Sequence, residues 1–510
     1  MSDHLDILPV QTRTVIQPPS CVVGTERHNQ SPQIASNRDG CAERIERVTL
    51  FIEENLDQTL DVDTLAGVAA YSPYHFSRVF KSVTGCSPSR FIRRMRVAKA
   101  MDLTRETDVP LSEIAFTCGF GSQSHLTSTM KIETGSTPGA IRKKAIHRKA
   151  GSEKVSRQRP LDRAKAFASR FGFDLPILMA PMTGVFSIAL AAGVANAGGM
   201  AASGVLLQSP GQIEKWVKAF RAASNGALQL NTWVPDPAPQ RSPQREAEMR
   251  AFLGQWGPEV PPIDNLHQID FDGQCQAMLE ARPQAISSVM GLYDAAYVRE
   301  MKSRDIAWSA IVTTVSEART AEAAGADVIV AQGAEAGGHR GTFDAACATA
   351  SATGLFALVP AVVDAVNLPV IATGGIADAR TIVAALHLGA SAVQIGTGLL
   401  RTPEAGLPSS WTDGLATAQP DDTVITTAFS GRPGRSLRTA FVEEMSTTNA
   451  PASLPYPVQR QLTGPMRKAA QQTNTIDGLQ AWAGQAARLG RTAPVSDVVR
   501  DLWAEAQETI

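Results

Sequence analysis

The segment AQGAEAGGHRG (331–341) sets a Gln, a Gly pair and a His directly behind the apolar run DVIVAQG (327–333), which reads as a strand. An imidazole, with a pKa of about 6.5, suits removal of a proton from an acidic carbon near neutral pH. An arbitrary loop His is more often exposed and idle. His339 differs because it follows a strand end and neighbours turns suited to an anion, which makes it the candidate catalytic base. Those turns are IATGGI (371–376) and QIGTG (394–398), whose small residues let backbone N–H groups approach a phosphate closely. One Gly-rich turn is weak evidence, since many strand–helix loops need φ > 0. Two of them, after successive strands, weigh more. The six cysteines (21, 41, 86, 118, 275 and 347) form no CxxC pair and no cluster with His at zinc-ligand spacing, so no metal is expected.

The elements that must position these residues are short apolar runs alternating with Ala-rich helical stretches. Eight strands are expected: 176–182, 198–203, 227–233, 285–291, 306–312, 327–333, 369–375 and 392–398. Segments 315–326 and 378–390 read as amphipathic helices between them, and 234–281 reads as a long insertion after the third strand. Eight strand–helix units imply an α/β protein, a (β/α)8 TIM barrel, in which the loops after strands seven and eight commonly hold phosphate. The Gly-rich turns fall in those two loops.

The chain before residue 171 has a different texture. Residues 71–170 hold 20 Lys and Arg against 7 Asp and Glu, while the rest holds 28 against 42. A basic segment on an acidic body points to nucleic-acid contact by that segment alone. It also repeats: SPYHFSRVFK (72–81) and SQSHLTSTMK (122–131) match at an offset of 50, each followed by a TG-x-[ST]-P segment. Ser72 and Ser122 are expected to cap helices, with Pro73 at a first helical position. Phe76, Val79, Phe80 and Val83 mark the expected buried stripe. Shorter helices at 64–70 and 111–119 complete two helix–turn–helix motifs, an all-α domain. Helix 91–106, about 24 Å long, joins them, so that recognition helices could sit about one DNA turn apart. Tyr74, His75, Arg78, Gln123, Ser124 and Thr127 project opposite the apolar stripe as candidates for groove contacts. Arg93, Arg94 and Lys131 suit phosphates.

The organisation expected is a disordered leader (1–40), a helical domain (41–147), a basic linker (148–170) and a barrel with a C-terminal helical extension (171–510). No apolar run approaches the roughly 18 residues that span a bilayer, and MSDHLDILPV shows no export signal, so a cytoplasmic location is expected without membrane contact.

Two family resemblances rest on these motifs. Residues 44–144 look like the AraC-family DNA-binding domain, through the IA…GF…S…H…K…G…TP…R skeleton of 114–142, with Leu126 and Met130 where that family usually has Phe. The resemblance implies double-stranded DNA as the partner of residues 41–147. Residues 171–510 resemble class I nitronate monooxygenases through LMAPM (178–182), AQGAEAGGHRG, IATGGI, QIGTG, FSGRPGRSLR (429–438), PYPVQRQLT (455–463) and LQAWAGQ (479–485). That resemblance implies FMN as cofactor, with Ala180, Pro181 and Met182 on the flavin ring. It implies Asn231, Gln332 and Gly337 along the ring or ribityl chain, and Gly374, Gly375, Gln394, Gly396 and Thr397 around the phosphate. His339 would take the α-proton of a nitroalkane, and the nitronate would react with O2 to give a carbonyl compound and nitrite. Two alternatives are carried: a DNA-binding regulator that uses the flavin barrel as a sensor, and an enoyl or quinone reductase.

Overall fold

A computed structural model of the chain describes residues 33–143, 159–266 and 270–510. It divides into two compact units, residues 1–148 and 149–510. Among the described residues, no helix is long and apolar enough to cross a membrane, and no cluster of His, Cys, Asp or Glu could hold a metal ion.

The first unit contains α1 (Gln33–Glu54), α2 (Val62–Ala69), α3 (Pro73–Thr84), α4 (Pro88–Glu106), α5 (Leu111–Thr117) and α6 (Gln123–Thr134). Residues 1–32 of the expected leader lie outside the described residues, but 33–40 belong to α1. The buried stripe Ile45, Val48 and Ile52 packs the C-terminal half of that helix. Phe76 and Phe80 are fully buried, as their spacing predicts, whereas Val83 is 47% exposed because the packed face of α3 ends one turn earlier. The Ser122 hydroxyl accepts from the His125 N–H at 3.1 Å, but Ser72 makes no side-chain cap bond, leaving Pro73 to begin α3. Leu126 and Met130, the departures from the family pattern, are fully buried and fill the second core.

One side chain on α4 ties the two motifs together. Arg96 donates from Nε to the Leu56 carbonyl (2.9 Å) and from Nη2 to that of Gln58 (2.6 Å). Gly119 fits against this bridge at φ +72, where an added Cβ would lie 2.1 Å from the Leu56 carbonyl oxygen and 2.7 Å from Arg96 Nε.

The second unit is the expected barrel. Its strands are β1 (Ile177–Met179), β2 (Ala201–Gly204), β3 (Leu228–Trp233), β4 (Ala285–Val289), β5 (Ala307–Val312), β6 (Val328–Gln332), β8 (Val370–Thr373) and β9 (Ala392–Ile395), all parallel. The order β1-β9-β8-β6-β5-β4-β3-β2 closes through a bridge between Leu178 and Met200. Each observed strand falls inside an expected one, apart from a one-residue overrun at Gly204. Residues 271–281 form the ordinary helix after β3, burying Cys275, Met278 and Leu279, so only 234–270 is insertion.

Two features depart from the sequence reading. The C-terminal part of the expected linker, α7 (Pro160–Arg170), belongs to the barrel: Phe167 joins the cluster of Leu178, Met200, Val330 and Ile371, and Arg163 Nε donates to the Ala390 carbonyl (3.2 Å). Residues 148–158 of that linker lie outside the described residues. The C-terminal extension also is not purely helical. It supplies β10 (Thr423–Thr426) and β11 (Gly434–Leu437), which with β7 (Gly338–His339) make a separate antiparallel sheet ordered β10-β11-β7. Short Gly- and Arg-bearing strands such as GRSL lack the apolar alternation that marks a strand.

Gly119→Ala should destabilise the helical unit by about 2 kcal/mol or more, since left-handed strain adds to a backbone clash. Chemical denaturation of the full chain followed by far-UV circular dichroism would show an earlier first transition, with the barrel transition unmoved.

Candidate active site

A cavity of about 640 Å³ opens at the C-terminal ends of the barrel strands. A pocket of that size, apolar with a few convergent polar groups, suits a cofactor together with a small substrate. All the expected barrel residues line it: Ala180, Pro181, Met182, Asn231, Gln332, Gly337, His339, Gly374, Gly375, Gln394, Gly396 and Thr397.

His339 is held from several directions. Its backbone pairs with Gly434 in the β7–β11 ladder, and the next N–H, of Arg340, donates to the Pro433 carbonyl (2.9 Å). Its ring lies edge-on between Trp233 (4.7 Å) and Trp482 (4.8 Å), and Nε2 is 2.7 Å from Ser430 Oγ. Nδ1 has no hydrogen-bond partner among the described residues. Burial, and then the charges of Arg460 and Arg432, bring the imidazole from 6.5 down to about 3. The half-exposed surface of His339 faces this cavity rather than open solvent, so the downward direction stands.

Gln332 spends its amide on the His-bearing loop. Nε2 donates to the His339 carbonyl (3.1 Å), while Oε1 accepts from Gly341 N–H (2.8 Å) and Arg340 Nη1 (3.1 Å). Arg340, 1% exposed, also donates to the Gly333 carbonyl at 2.6 Å. Gln332 therefore orients His339, whatever else it touches. Asn231 donates to Ser287, to Oγ at 2.9 Å and to the carbonyl at 3.1 Å.

The Gly-rich turns build a different environment. Gly374 and Gly375 adopt φ of +109 and +69. The backbone N–H groups of Gly374, Gly375, Ile376, Thr397 and Gly398 have no acceptor among the described residues. Unpaired backbone donors on two adjacent Gly-rich loops are the kind of group that binds an anion. Glycine at 337 is also required by packing, since a Cβ there would lie 2.5 Å from Gly484 N and 2.7 Å from Thr397 Oγ1. Thr397 Oγ1 accepts from that same Gly484 N–H at 3.0 Å, tying the C-terminal extension to those loops.

The sequence reading did not assign Trp233, Ser430, Arg460, Arg467, Gln480 and Trp482. All but Trp233 lie within or just after motifs quoted above, yet they meet at His339 or along the cavity wall from segments far apart in sequence. In the helical unit, Tyr74 is 76% exposed, and His75, Arg78, Gln123 and Ser124 are exposed. Thr127 is half-buried, with its hydroxyl donating to the Gln123 carbonyl (2.9 Å). Arg94 and Lys131 are exposed, and Arg93 lies 3.8 Å from Glu133.

Comparison with known proteins agrees with this geometry. The family model for nitronate monooxygenase matches residues 168–505. The chain belongs to the nitronate monooxygenase family. A probable nitronate monooxygenase of Staphylococcus aureus (strain MSSA476) is 33% identical over 334 residues, covering 64% of this chain and 93% of that protein. A probable nitronate monooxygenase of Staphylococcus saprophyticus is 31% identical over 338 residues, covering 65% and 95%. Among solved structures, a nitroalkane oxidase from Streptomyces ansochromogenes matches with a TM-score of 0.63 and 33% identity over 67% of this chain and 98% of that one. FabK from Thermotoga maritima matches with a TM-score of 0.53 and 28% identity, covering 68% and 96%. A second family model, helix-turn-helix domain, matches residues 65–144 within the first unit. This nitronate monooxygenase domain therefore stands behind a helix–turn–helix domain in one chain.

An imidazole whose folded pKa is depressed adds stability that is complete above the unfolded value and is lost as pH falls toward the folded one. His339 should accordingly stay neutral down to a pH of about 4, with its 15N ring shifts flat between about pH 5 and 8. A midpoint near 6.5, the ordinary value, would contradict this environment.

Proposed function

We propose that the barrel is an FMN-dependent nitronate monooxygenase that oxidises nitronates and nitroalkanes with O2 to a carbonyl compound and nitrite. The observation that carries this reading is one neutral, ring-clamped imidazole in the same cavity as an N–H nest. The residues fit FMN: the nest offers its phosphate free donors, with Gly374, Gly375, Gln394, Gly396 and Thr397 around it. Ala180, Pro181 and Met182 offer the ring an apolar edge, and Asn231, Gln332 and Gly337 lie toward the ring or ribityl chain. When bound, FMN supplies one-electron chemistry between substrate and oxygen.

The chain's own work is to bind, orient and move one proton. Trp233 and Trp482 flank the ring of His339 edge-on, and Ser430 is bonded to its Nε2. For Nδ1 to accept the α-proton of a nitroalkane, Nε2 must carry its own proton and donate to Ser430 Oγ. The Ser430 hydroxyl then donates to the Arg432 carbonyl, 3.2 Å away. Gln332 keeps the loop in register by holding the carbonyl of the same His. A substrate that arrives as the nitronate has already lost this proton and needs only to be seated.

The helical unit is proposed to bind double-stranded DNA. Tyr74, His75, Arg78, Gln123, Ser124 and Thr127 would face the groove, and Arg94 and Lys131 the phosphates.

Purified protein should carry FMN and release nitrite from propyl nitronate under air; flavin-loaded protein that releases none would sink the reading. His339→Ala should lower turnover of the neutral nitroalkane about 10²-fold or more, and that of the nitronate far less. For the DNA unit, log affinity of the full chain for duplex DNA should fall steeply with log salt, by about 0.9 per phosphate contact. No binding at low salt would remove that role.

A further inference from the structure

We propose that Gln229 is a positioning residue: it turns the amide of Gln394 so that the NH2 end projects from the barrel floor into the cavity, as a donor that favours the reduced form of bound FMN. This rests on the reading of the cavity as a flavin site.

The inside of the barrel is apolar nearly to its top. Leu178, Met200, Ala227, Val330, Ile371 and Ala392 share one buried cluster, the side-chain filling usual for a barrel of eight strands. Side chains two residues apart on a strand share a face. Ala227, Val330, Ile371 and Ala392 are therefore followed on the interior face by Gln229, Gln332, Thr373 and Gln394. The ladder registers agree, since Gln332 pairs with Thr373 and Thr373 with Gln394. Four polar residues thus replace the apolar filling in the layer beneath the cavity.

Two of the four are occupied in holding backbone. Gln332 bonds to the His339 carbonyl and the Gly341 N–H, and Thr373 Oγ1 donates to the Gln394 carbonyl at 2.9 Å. The Gln394 side chain meets one partner: Gln229 Nε2 donates to Gln394 Oε1 at 3.4 Å. Gln229 and Gln394 are only 1% and 3% exposed. Gln229 Oε1 is sealed within protein and has no partner among the described residues. Such an orphaned oxygen costs stability, and an apolar pair of the same shape would avoid the cost. A polar pair that breaks the packing rule in this way marks a functional position.

The bond sets polarity as well as place. With its oxygen held by Gln229, Gln394 Nε2 has no acceptor among the described residues, yet it is not sealed, and Gln394 lines the cavity. The donor end therefore faces the cavity. Turning both amides over would instead strand the Gln229 NH2, with its two hydrogens, inside the barrel. Orphaned buried N–H groups are rarer than unpaired carbonyl oxygens. The cofactor phosphate has backbone donors on the loops after β8 and β9. The Gln394 backbone stays beside those loops, but its side chain shares the layer of Gln332, toward the ring and ribityl chain. A fixed donor there stabilises the added electron density of a reduced ring more than it stabilises the oxidised one, which raises the potential.

The test measures the midpoint potential of FMN on the full chain, by reductive titration against a reference dye. Wild type is compared with Gln229→Met, Gln394→Met and the double variant. In Gln394→Met the reduced-to-oxidised ratio at a fixed potential should fall about tenfold, a downward shift of about 30 mV for a two-electron couple. Gln229→Met should shift it the same way by less. The double variant should match Gln394→Met alone, because Gln229 acts only through Gln394. Gln229→Met should also unfold no earlier on heating than wild type, since it removes the orphaned oxygen. Gln229→Asn, which keeps an amide but withdraws it, should lower the potential likewise. Unmoved potentials in both Gln229 variants, or additive shifts in the double variant, would overturn the proposal. Weaker FMN binding with the potential unmoved would also overturn it, by assigning the Gln394 side chain to the phosphate. A wild type that takes up no FMN would overturn the reading of the cavity and this inference with it.

Discussion

The backbone pairing of Gly434 with His339 is the constraint on which the site depends. Strand β6 of the barrel ends at Gln332, and the loop that follows carries His339. Pairing with β11 converts two of its residues into a strand, and Gln332 pins the same loop from the barrel side. Because β11 belongs to the C-terminal extension, the imidazole is placed by two parts of the chain about a hundred residues apart. Trp482, which walls the ring, comes from a third segment that itself bridges to Ser436 in β11.

This arrangement explains why the cavity mixes an apolar face with a strongly cationic one. The extension brings Arg432, Arg435, Arg460 and Arg467 to the mouth of the barrel. Two of them are absorbed structurally: Arg432 by Asp236 and the Thr342 carbonyl, and Arg435 by the Ala334 carbonyl and Thr423. The other two have no carboxylate partner among the described residues, and both bond to Gln480 Oε1. Burial of the imidazole, and then the positive charge of Arg460 and Arg432, keeps that ring neutral.

Much of the fold could be read from residue pattern. Buried parallel strands are continuous apolar runs, and eight of them alternating with Ala-rich helices leave few other architectures. The helix–turn–helix repeat was legible because SPYHFSRVFK and SQSHLTSTMK carry the same buried positions. What the pattern hid was pairing over distance. GRSL and Gly338–His339 are too short and too polar to read as strands, yet they form the ladder that holds His339. Phe167 and Arg163 look like parts of a linker because periodicity cannot say what a helix packs against. The cavity followed the motifs closely at Ala180–Met182 and the Gly-rich turns, where one loop supplies one contact. It was illegible at Ser430, Arg460 and Trp482, whose meaning comes only from the partners they meet.

The most direct test of the central claim is a crystal structure of the FMN-loaded chain with nitrate. The flavin phosphate is expected on the N–H groups of Gly374, Gly375, Ile376 and Thr397, with the planar anion beside His339. A phosphate bound away from those loops, or an anion remote from His339, would contradict the proposed roles of both.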